Sequence, residues 1–188
     1  MKYDKIFLRN RFLLQRKKNY FSAKKFDFNL IFKLIKKHFN KKKITIAGYY
    51  PSNYEVDILN FLDLSAKKNF KIVLPVILSS KNMIFSKWFY KDPLYLNDFG
   101  ILEPKNSKTG IIPDLILVPL VAFDKYLNRI GYGKGYYDRH LKKIKKLKKN
   151  AVFLGVAYSF QKCKKIPANK YDYKLDYIFT EKGIIKSN

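Results

Sequence analysis

Cysteine is almost missing from this sequence, since Cys163 is the only one among 188 residues. A single thiol excludes an internal disulfide and offers nothing like a structural zinc site. Long apolar runs are missing as well: the uncharged stretches 44–54 and 151–161 are far shorter than the roughly 20 apolar residues of a membrane span. Charges also interrupt the amino terminus, where a signal peptide needs an apolar run. We therefore expect a cytoplasmic protein with no membrane partner.

Acidic residues are scarce, with 14 Asp and Glu against 40 Lys and Arg and a net charge of +26. Clustered basic residues attract phosphates and so favour a nucleic-acid-binding surface. However, the basic runs 36–43 and 142–149 are mostly lysine. Lys, Phe, Tyr, Ile and Asn are all abundant here and all have AT-rich codons. Solvated lysine-rich helix faces are therefore the favoured interpretation, and a nucleic-acid surface is the alternative.

Apolar residues are plentiful, at 47% of the chain with 17% aromatic, which argues against disorder. The length fits one domain over 1–188. Strand-like and helix-like stretches alternate, which predicts an α/β fold: a three-layer sandwich with a largely parallel central sheet flanked by helices. The predicted helices cover 3–19, 24–39, 55–68 and a stretch beginning near 136, and the predicted strands cover 43–50, 70–78, 83–90, 114–120, 151–158 and 175–181.

Two details of this prediction can be compared directly with a structure. The first helix is expected to be amphipathic, with an apolar face made by Ile6, Leu8, Phe12, Leu13 and Phe21. The stretch 83–90 is expected to pair with 70–78 as an antiparallel hairpin partner.

Glycine is also rare, yet three of the eight glycines lie within RIGYGKGYYD (129–138). Gly131, Gly133 and Gly135 follow the most apolar predicted strand and precede a predicted helix. Glycine reaches positive φ and lets a ligand approach the backbone, and a helix amino terminus favours anions. Lys134 adds a positive charge within the same loop. The spacing matches neither a Walker A loop nor a dinucleotide fingerprint. We predict a phosphate-binding loop, and a plain tight connection is the alternative.

Asp138 follows these glycines in the first turn of the predicted helix. An acid at this position complements the helix dipole. Beside bound phosphates it could instead hold Mg²⁺, which prefers carboxylate and phosphate oxygens. Both interpretations stay open at this point.

Several segments together resemble the 5-formyltetrahydrofolate cyclo-ligase family, in that family's order and over nearly the whole chain. Leu120 and Leu127 stand where glycine is common in the family. The segments that carry the resemblance are Lys5-x-x-x-Arg9, YYPSNYEVD (49–57), GILEP (100–104), VPLVAFD (118–124), RIGYGKGYYD (129–138) and QKCKKIPANKYDYKLDYIFTE (161–181).

The resemblance implies an enzyme that uses ATP and Mg²⁺ to convert 5-formyltetrahydrofolate into 5,10-methenyltetrahydrofolate, releasing ADP and phosphate. It implies catalytic roles for Lys134 and Arg129, a magnesium ligand in Asp138, and a monomer without a nucleic-acid partner. The implied ATP-binding residues are Lys5, Arg9, Arg129, Gly131, Tyr132, Gly133, Lys134, Gly135 and Tyr136, and the implied folate-binding residues are Tyr50, Glu55, Met83, Trp88 and Tyr137.

Two other functions remain as alternatives. The first is a basic RNA-binding protein on a related scaffold, which would have no need of Glu55 or Asp138. The second is an ATPase or kinase acting on another heterocycle, because the phosphate loop is better supported than the pterin pocket. Salt dependence separates the first alternative from the enzyme, since nucleic-acid affinity falls steeply with salt.

Overall fold

The computed structural model describes residues 4–22, 24–40, 43–105 and 110–186. Four α-helices and one short 3₁₀ helix alternate with eleven strands in these ranges. The helices are α1 (Lys5–Asn19), α2 (Asn29–His38), α3 (Leu59–Lys67) and α4 (Tyr136–Leu147), with the 3₁₀ turn at Ser159–Gln161. The strands are β1 (Thr45–Ala47), β2 (Lys71–Ile77), β3 (Met83–Lys87), β4 (Leu94–Leu96), β5 (Leu102–Pro104), β6 (Leu115–Pro119), β7 (Ala122–Phe123), β8 (Arg129–Ile130), β9 (Val152–Val156), β10 (Tyr177–Thr180) and β11 (Gly183–Lys186).

Seven strands form the central sheet, in the order β11-β10-β9-β6-β1-β2-β3. The five inner strands run parallel to one another, and β11 and β3 close the two edges in antiparallel pairing. The hairpin predicted between 70–78 and 83–90 is therefore confirmed. The inner strands β6 and β9 are almost continuously apolar, as expected for parallel strands covered on both faces.

Helices cover both faces of this sheet. The apolar faces of α2 and α3 pack with Ile46 and Leu117 on one face. On the other face, α4 packs Leu141 and Ile144 against the sheet. These three layers confirm the predicted α/β sandwich.

The first helix packs away from both sheet faces. Its buried residues Leu8 and Phe12 contact the short β7–β8 pair through Ala122 and Ile130. This packing brings the amino-terminal basic residues next to the loop that follows β8, so it matters for the site.

Some predicted details were wrong. The apolar face of α1 excludes Ile6 and Phe21, which are 63% and 88% exposed, and includes Arg16, which is 1% exposed. The third helix begins at Leu59 and not at 55: residues 55–58 are not helical, and Asp57 Oδ1 accepts from the Leu59 amide at 2.8 Å at the helix start. The predicted first helix started at residue 3, which lies outside the described residues.

The pair β4–β5 and the edge strand β11 were not predicted. The two strands of the pair are three residues each and largely solvent-facing, so they lack the apolar pattern of a core strand. Their hairpin is held to β2 by Glu103, whose Oε2 accepts hydrogen bonds from the Ile77 amide at 3.1 Å and from Asn97 Nδ2 at 2.8 Å. The hairpin thereby forms a wall beside the carboxyl ends of the parallel strands.

Candidate active site

A cavity of about 960 Å³ opens at the edge of the sheet where the parallel strands have their carboxyl ends. We call this the carboxyl edge, and the opposite one the amino edge. Ligands of open α/β sheets bind at the carboxyl edge. The segments around the cavity are the start of α1, the stretch after β1, the β4–β5 hairpin, the glycine loop and residues 169–172. Fourteen of the fifteen predicted site residues line it: Lys5, Arg9, Tyr50, Glu55, Met83, Arg129, Gly131, Tyr132, Gly133, Lys134, Gly135, Tyr136, Tyr137 and Asp138.

Trp88 is the predicted site residue that the structure does not bring to this cavity. It follows the end of β3 and is 5% exposed within the apolar layer beneath α2 and α3. Its indole Nε1 donates to the Asp92 carbonyl at 3.2 Å. Trp88 lines a separate groove of about 370 Å³ together with Tyr90, and Tyr50 borders both spaces.

The glycine loop adopts the backbone that its spacing predicted. Gly133 and Gly135 have φ of +98° and +70°, in the left-handed region that favours glycine. Gly135 directly precedes α4, so the helix amino terminus points its free amides toward the cavity. The Arg9 guanidinium crosses the loop: its Nε donates to the Gly131 carbonyl at 2.8 Å. A Cβ at Gly133 would stand 3.3 Å from the same guanidinium.

Two basic groups at the loop are already paired with acids. Arg129 Nη2 donates to Asp138 Oδ1 at 2.8 Å, and the Tyr173 amide donates to the same oxygen at 2.9 Å. Lys5 forms an ion pair with Asp172. Burial lowers the pKa of Arg129, and the nearby Asp138 carboxylate opposes that effect. These pairs hold the cations in place at the cavity wall.

Lys134 differs from Arg129 and Lys5 because it has no ion-pair partner within the described ranges. Its ammonium lies 5.6 Å from the centre of the Phe99 ring, at the tip of the β4–β5 hairpin. Phe99 also meets Tyr136 edge to face, with 6.2 Å between ring centres. Lys134 therefore places an uncompensated positive charge at the cavity mouth.

Glu55 supplies a negative charge to the same cavity. It is 5% exposed, and its Oε2 accepts from the Ser52 amide at 3.0 Å while its Oε1 accepts from the Tyr132 hydroxyl at 3.0 Å. Burial raises the pKa of this carboxyl group, and the Ser52 amide, the charge of Arg16 and the Tyr132 hydroxyl oppose the rise. A buried carboxylate held this way can accept hydrogen bonds from N–H groups of a ligand.

The hydroxyl groups of Tyr136 and Tyr137 are buried, and neither has a hydrogen-bond partner among the residues that the structure describes. Burial also raises the pKa of Tyr137, so its hydroxyl stays protonated. Buried polar groups are nearly always paired, and an unpaired one calls for an explanation. Both side chains line the cavity, so a ligand there could satisfy them.

The residues present can fit a magnesium ion only with help from phosphates. In the described parts of the chain, no group of three or more His, Cys, Asp and Glu side chains could hold a metal. Asp138 uses Oδ1 for both of its hydrogen bonds and leaves Oδ2 available. Mg²⁺ is commonly bound by one or two carboxylates together with phosphate oxygens and waters, so a single carboxylate beside a phosphate loop is compatible.

Sequence reasoning missed Arg16, the buried guanidinium behind Tyr132 and Glu55. The spacing indicates that Arg16 is buried, because it follows the buried Phe12 by four positions and Leu8 by eight and so lies on the same helix face. The predicted apolar face of the first helix included only apolar residues and so did not contain Arg16. No helix in the described ranges is both long and apolar enough to cross a membrane.

Fold and cavity together define an α/β protein in which a glycine loop with basic side chains and a buried carboxylate line one cavity. The sequence profile of the 5-formyltetrahydrofolate cyclo-ligase family matches residues 1–181. A 5-formyltetrahydrofolate cyclo-ligase of Haemophilus influenzae is 32% identical over 136 residues, covering 69% of this chain and 72% of the relative. The chain therefore belongs to the 5-formyltetrahydrofolate cyclo-ligase family of enzymes, which confirms the resemblance.

Solved structures agree with this assignment. The NMR structure of Aquifex aeolicus 5,10-methenyltetrahydrofolate synthetase matches with a TM-score of 0.71 at 28% identity, over 97% of this chain and 92% of that chain. A 5,10-methenyltetrahydrofolate synthetase from Mycoplasma pneumoniae matches with a TM-score of 0.67 at 30% identity, over 94% of this chain and 98% of that chain.

Proposed function

We propose that this protein converts 5-formyltetrahydrofolate into 5,10-methenyltetrahydrofolate at the expense of ATP, with Mg²⁺ and with release of ADP and phosphate. One observation carries the proposal: a single cavity joins a glycine loop rich in cations to a buried carboxylate. The first half suits a polyphosphate and the second suits a heterocycle with N–H donors. Every side chain that the proposal uses comes from one chain.

The phosphate half consists of the glycine loop and its cations. Lys5, Arg9, Arg129 and Lys134 supply positive charge, and the amides at the start of α4 supply donors for phosphate oxygens. Asp138 would hold Mg²⁺, which when bound neutralises phosphate charge. We assign ATP binding to this half, including Gly131, Tyr132, Gly133, Gly135 and Tyr136.

The folate half consists of Glu55 and the side chains around it. Glu55 would accept hydrogen bonds from the N–H groups of the pterin ring. Tyr50, Met83 and Tyr137 line the same space and offer flat or flexible apolar walls to aromatic rings. Trp88 is left out of this assignment, because it lies in the separate groove.

The chemistry joins these two halves. Transfer of the γ-phosphoryl group of ATP to the formyl oxygen turns a poor leaving group into a good one. The folate N10 then attacks the activated formyl carbon, N10 loses its proton, and the formyl oxygen leaves as phosphate, which closes the five-membered ring. Such a reaction asks the protein mainly to position the reactants and to neutralise charge. Lys134 and Arg129 are the cations that we assign to the transferred group.

The experiment that tests this function follows the near-ultraviolet absorbance of the conjugated methenyl product. Purified protein is mixed with 5-formyltetrahydrofolate, Mg²⁺ and ATP, next to reactions that lack ATP or contain a related cyclo-ligase as positive control. An absorbance rise that requires ATP supports the proposal. No rise from folded protein, while the positive control works, would overturn it.

A further inference from the structure

The guanidinium of Arg16 is the most deeply buried positive charge among the described residues. Arg16 is 1% exposed, and its Nη1 donates to the Leu120 carbonyl at 3.3 Å. Its Nε is buried without a hydrogen-bond partner among the described residues. It also takes part in none of the ion pairs found within them. A charge taken out of water this completely needs a compensating charge nearby.

That compensating charge is Glu55, and the Tyr132 hydroxyl connects the two. Arg16 Nη2 donates to the Tyr132 hydroxyl oxygen, and the hydroxyl donates to Glu55 Oε1 at 3.0 Å. A guanidinium can only donate and a carboxylate can only accept, so the hydroxyl between them has one orientation that satisfies both. Hydrogen bonds that end on charged groups are stronger than neutral ones, and bonds in such a chain reinforce each other.

Arg16 is well placed to hold this chain rigid. The guanidinium also lies 5.6 Å from the centre of the Tyr132 ring, so it contacts the tyrosine through both the hydroxyl and the ring. The Leu120 carbonyl that it bonds is fixed by a second donor, Gln161 Nε2, at 2.9 Å. The chain therefore runs from the buried face of α1 through the glycine loop to the carboxylate.

We propose that Arg16 is a positioning residue for the folate half of the site: through the Tyr132 hydroxyl it keeps the buried Glu55 ionised and aimed at the ligand. The link to folate rests on the function proposed above. The charge coupling between Arg16 and Glu55 does not, and it can be measured in the protein alone.

The coupling between Arg16 and Glu55 predicts the direction in which the stability of the protein changes with pH. Burial raises the pKa of Glu55 above its ordinary value, and the charge of Arg16 opposes that rise. A carboxyl group with a raised pKa binds its proton more tightly in the folded state, so stability falls as the pH rises through that pKa. Loss of the Arg16 charge raises the pKa of Glu55 further, which enlarges this fall. A protonated Glu55 is then a poorer acceptor for pterin N–H groups.

Other titratable groups near Arg16 and Glu55 do not contribute to this pH dependence of stability. They are Tyr49 after β1, Tyr132 in the glycine loop, Tyr137 in α4 and Tyr158 after β9. Burial raises the pKa of each, to about 12 for Tyr132 and Tyr158, so all four stay neutral near physiological pH. The remaining charged side chains of the cavity are unchanged between the variants below: Lys5, Arg9, Glu103, Arg129, Lys134, Asp138, Arg139 and Asp172.

The first experiment measures urea unfolding of Arg16→Met in the wild-type and Glu55→Gln backgrounds, at about pH 5 and about pH 8. We expect the loss of stability caused by Arg16→Met to be larger at the higher pH. The difference between the stability losses at the two pH values should disappear when residue 55 is glutamine. A loss that is equal at both pH values, or that grows equally in the Glu55→Gln background, would overturn the coupling. No enzymatic activity enters this test, so its outcome is independent of the proposed reaction.

The second experiment compares KM values for 5-formyltetrahydrofolate and ATP. Arg16→Met should raise the folate KM about tenfold at neutral pH and leave the ATP KM within about twofold. Arg16→Lys, which keeps the charge, should recover part of the loss. Tyr132→Phe, which keeps the ring and removes the bridging hydroxyl, should also raise the folate KM. This variant tests the positioning role if Arg16→Met does not fold. An equal rise in both constants in Arg16→Met, or an unchanged folate KM in Tyr132→Phe, would overturn the positioning role.

Discussion

The two edges of the central sheet use buried polar groups in opposite ways. At the amino edge, Asp114 Oδ2 accepts from the Thr45 amide at 2.9 Å, and its other oxygen lies 2.8 Å from the Lys148 ammonium. At the carboxyl edge, the hydroxyls of Tyr136 and Tyr137 are buried with no partner among the described residues. Asp114 at the amino edge is thus paired within the chain, whereas the two tyrosine hydroxyls at the carboxyl edge have no partner among the described residues.

Strained backbone is also present at the carboxyl edge, although Asn69 before β2 shows that it is not confined to that edge. Leu127, just before β8, holds φ of +64° although it is a leucine. The Asp124 carboxylate stabilises this turn by accepting from the Tyr126 and Asn128 amides at 2.9 and 3.1 Å. Leu127 itself is 1% exposed, so burial of its side chain helps to offset the strain. The left-handed turn that a glycine would adopt without strain is therefore kept by other contacts here.

The comparison teaches that a buried charge is not by itself a sign of function. Asp114 and Glu55 are both buried acids, at 6% and 5% exposure. Asp114 ties two strands together, whereas Glu55 faces a cavity and depends on a guanidinium two hydrogen bonds away. What distinguishes them is whether open space and unused donors lie next to the carboxylate.

The largest effect is expected from Gly133→Ala at the carboxyl edge. A Cβ there would meet the Arg9 guanidinium at 3.3 Å, and φ of +98° is strained for alanine. Strain of about 1–2 kcal/mol is expected from the left-handed backbone. The displaced cation should also raise the ATP KM about tenfold. Steady-state kinetics at varied ATP measure the effect.

Gly183→Ala is the matched control. Gly183 has φ of +124° but no heavy atom within 4 Å of its would-be Cβ, and it lies in the β10–β11 turn. It should lose similar stability and keep the ATP KM. If both variants change the ATP KM alike, the glycine loop has no special relation to ATP.

A smaller effect is expected at the amino edge from Asp176→Ala. Asp176 Oδ2 accepts from the Phe153 amide at 2.8 Å, and the Lys145 ammonium lies 3.6 Å away. Losing this acceptor should lower the free energy of unfolding by about 1 kcal/mol, as measured by urea unfolding. Both KM values should stay within about twofold of the wild type. A raised KM without loss of stability would contradict the claim that Asp176 at the amino edge supports stability and not the site.

Much of this arrangement was predictable because it depends on local patterns. The apolar stretch 114–120 predicted the central strand β6, and the glycine spacing predicted the left-handed turns before α4. These two features need only a few neighbouring residues to specify them. The fourteen predicted residues that line the cavity came instead from the resemblance to the family, because they belong to distant segments.

The rest depended on contacts between distant segments. Arg16 became a buried site residue only because α1 packs on β7 and β8, which the helix pattern alone could not show. Trp88 lies outside the cavity because β3 runs antiparallel to β2, from the carboxyl edge toward the amino edge, and the Trp88 amide donates to the Ile72 carbonyl near the start of β2. The β4–β5 hairpin, which carries Phe99 to Lys134, has strands of only three residues each, which are too short to stand out in the sequence.

The central claim is that the carboxyl-edge cavity has a phosphate half and a folate half, and one measurement tests it most directly. The KM values for ATP and 5-formyltetrahydrofolate are determined in parallel for Lys134→Ala and Glu55→Gln. Lys134→Ala should raise the ATP KM about tenfold with little change for folate, and Glu55→Gln should do the reverse. Both variants should remain folded by circular dichroism. Equal rises in both constants for both variants would contradict the division of the cavity.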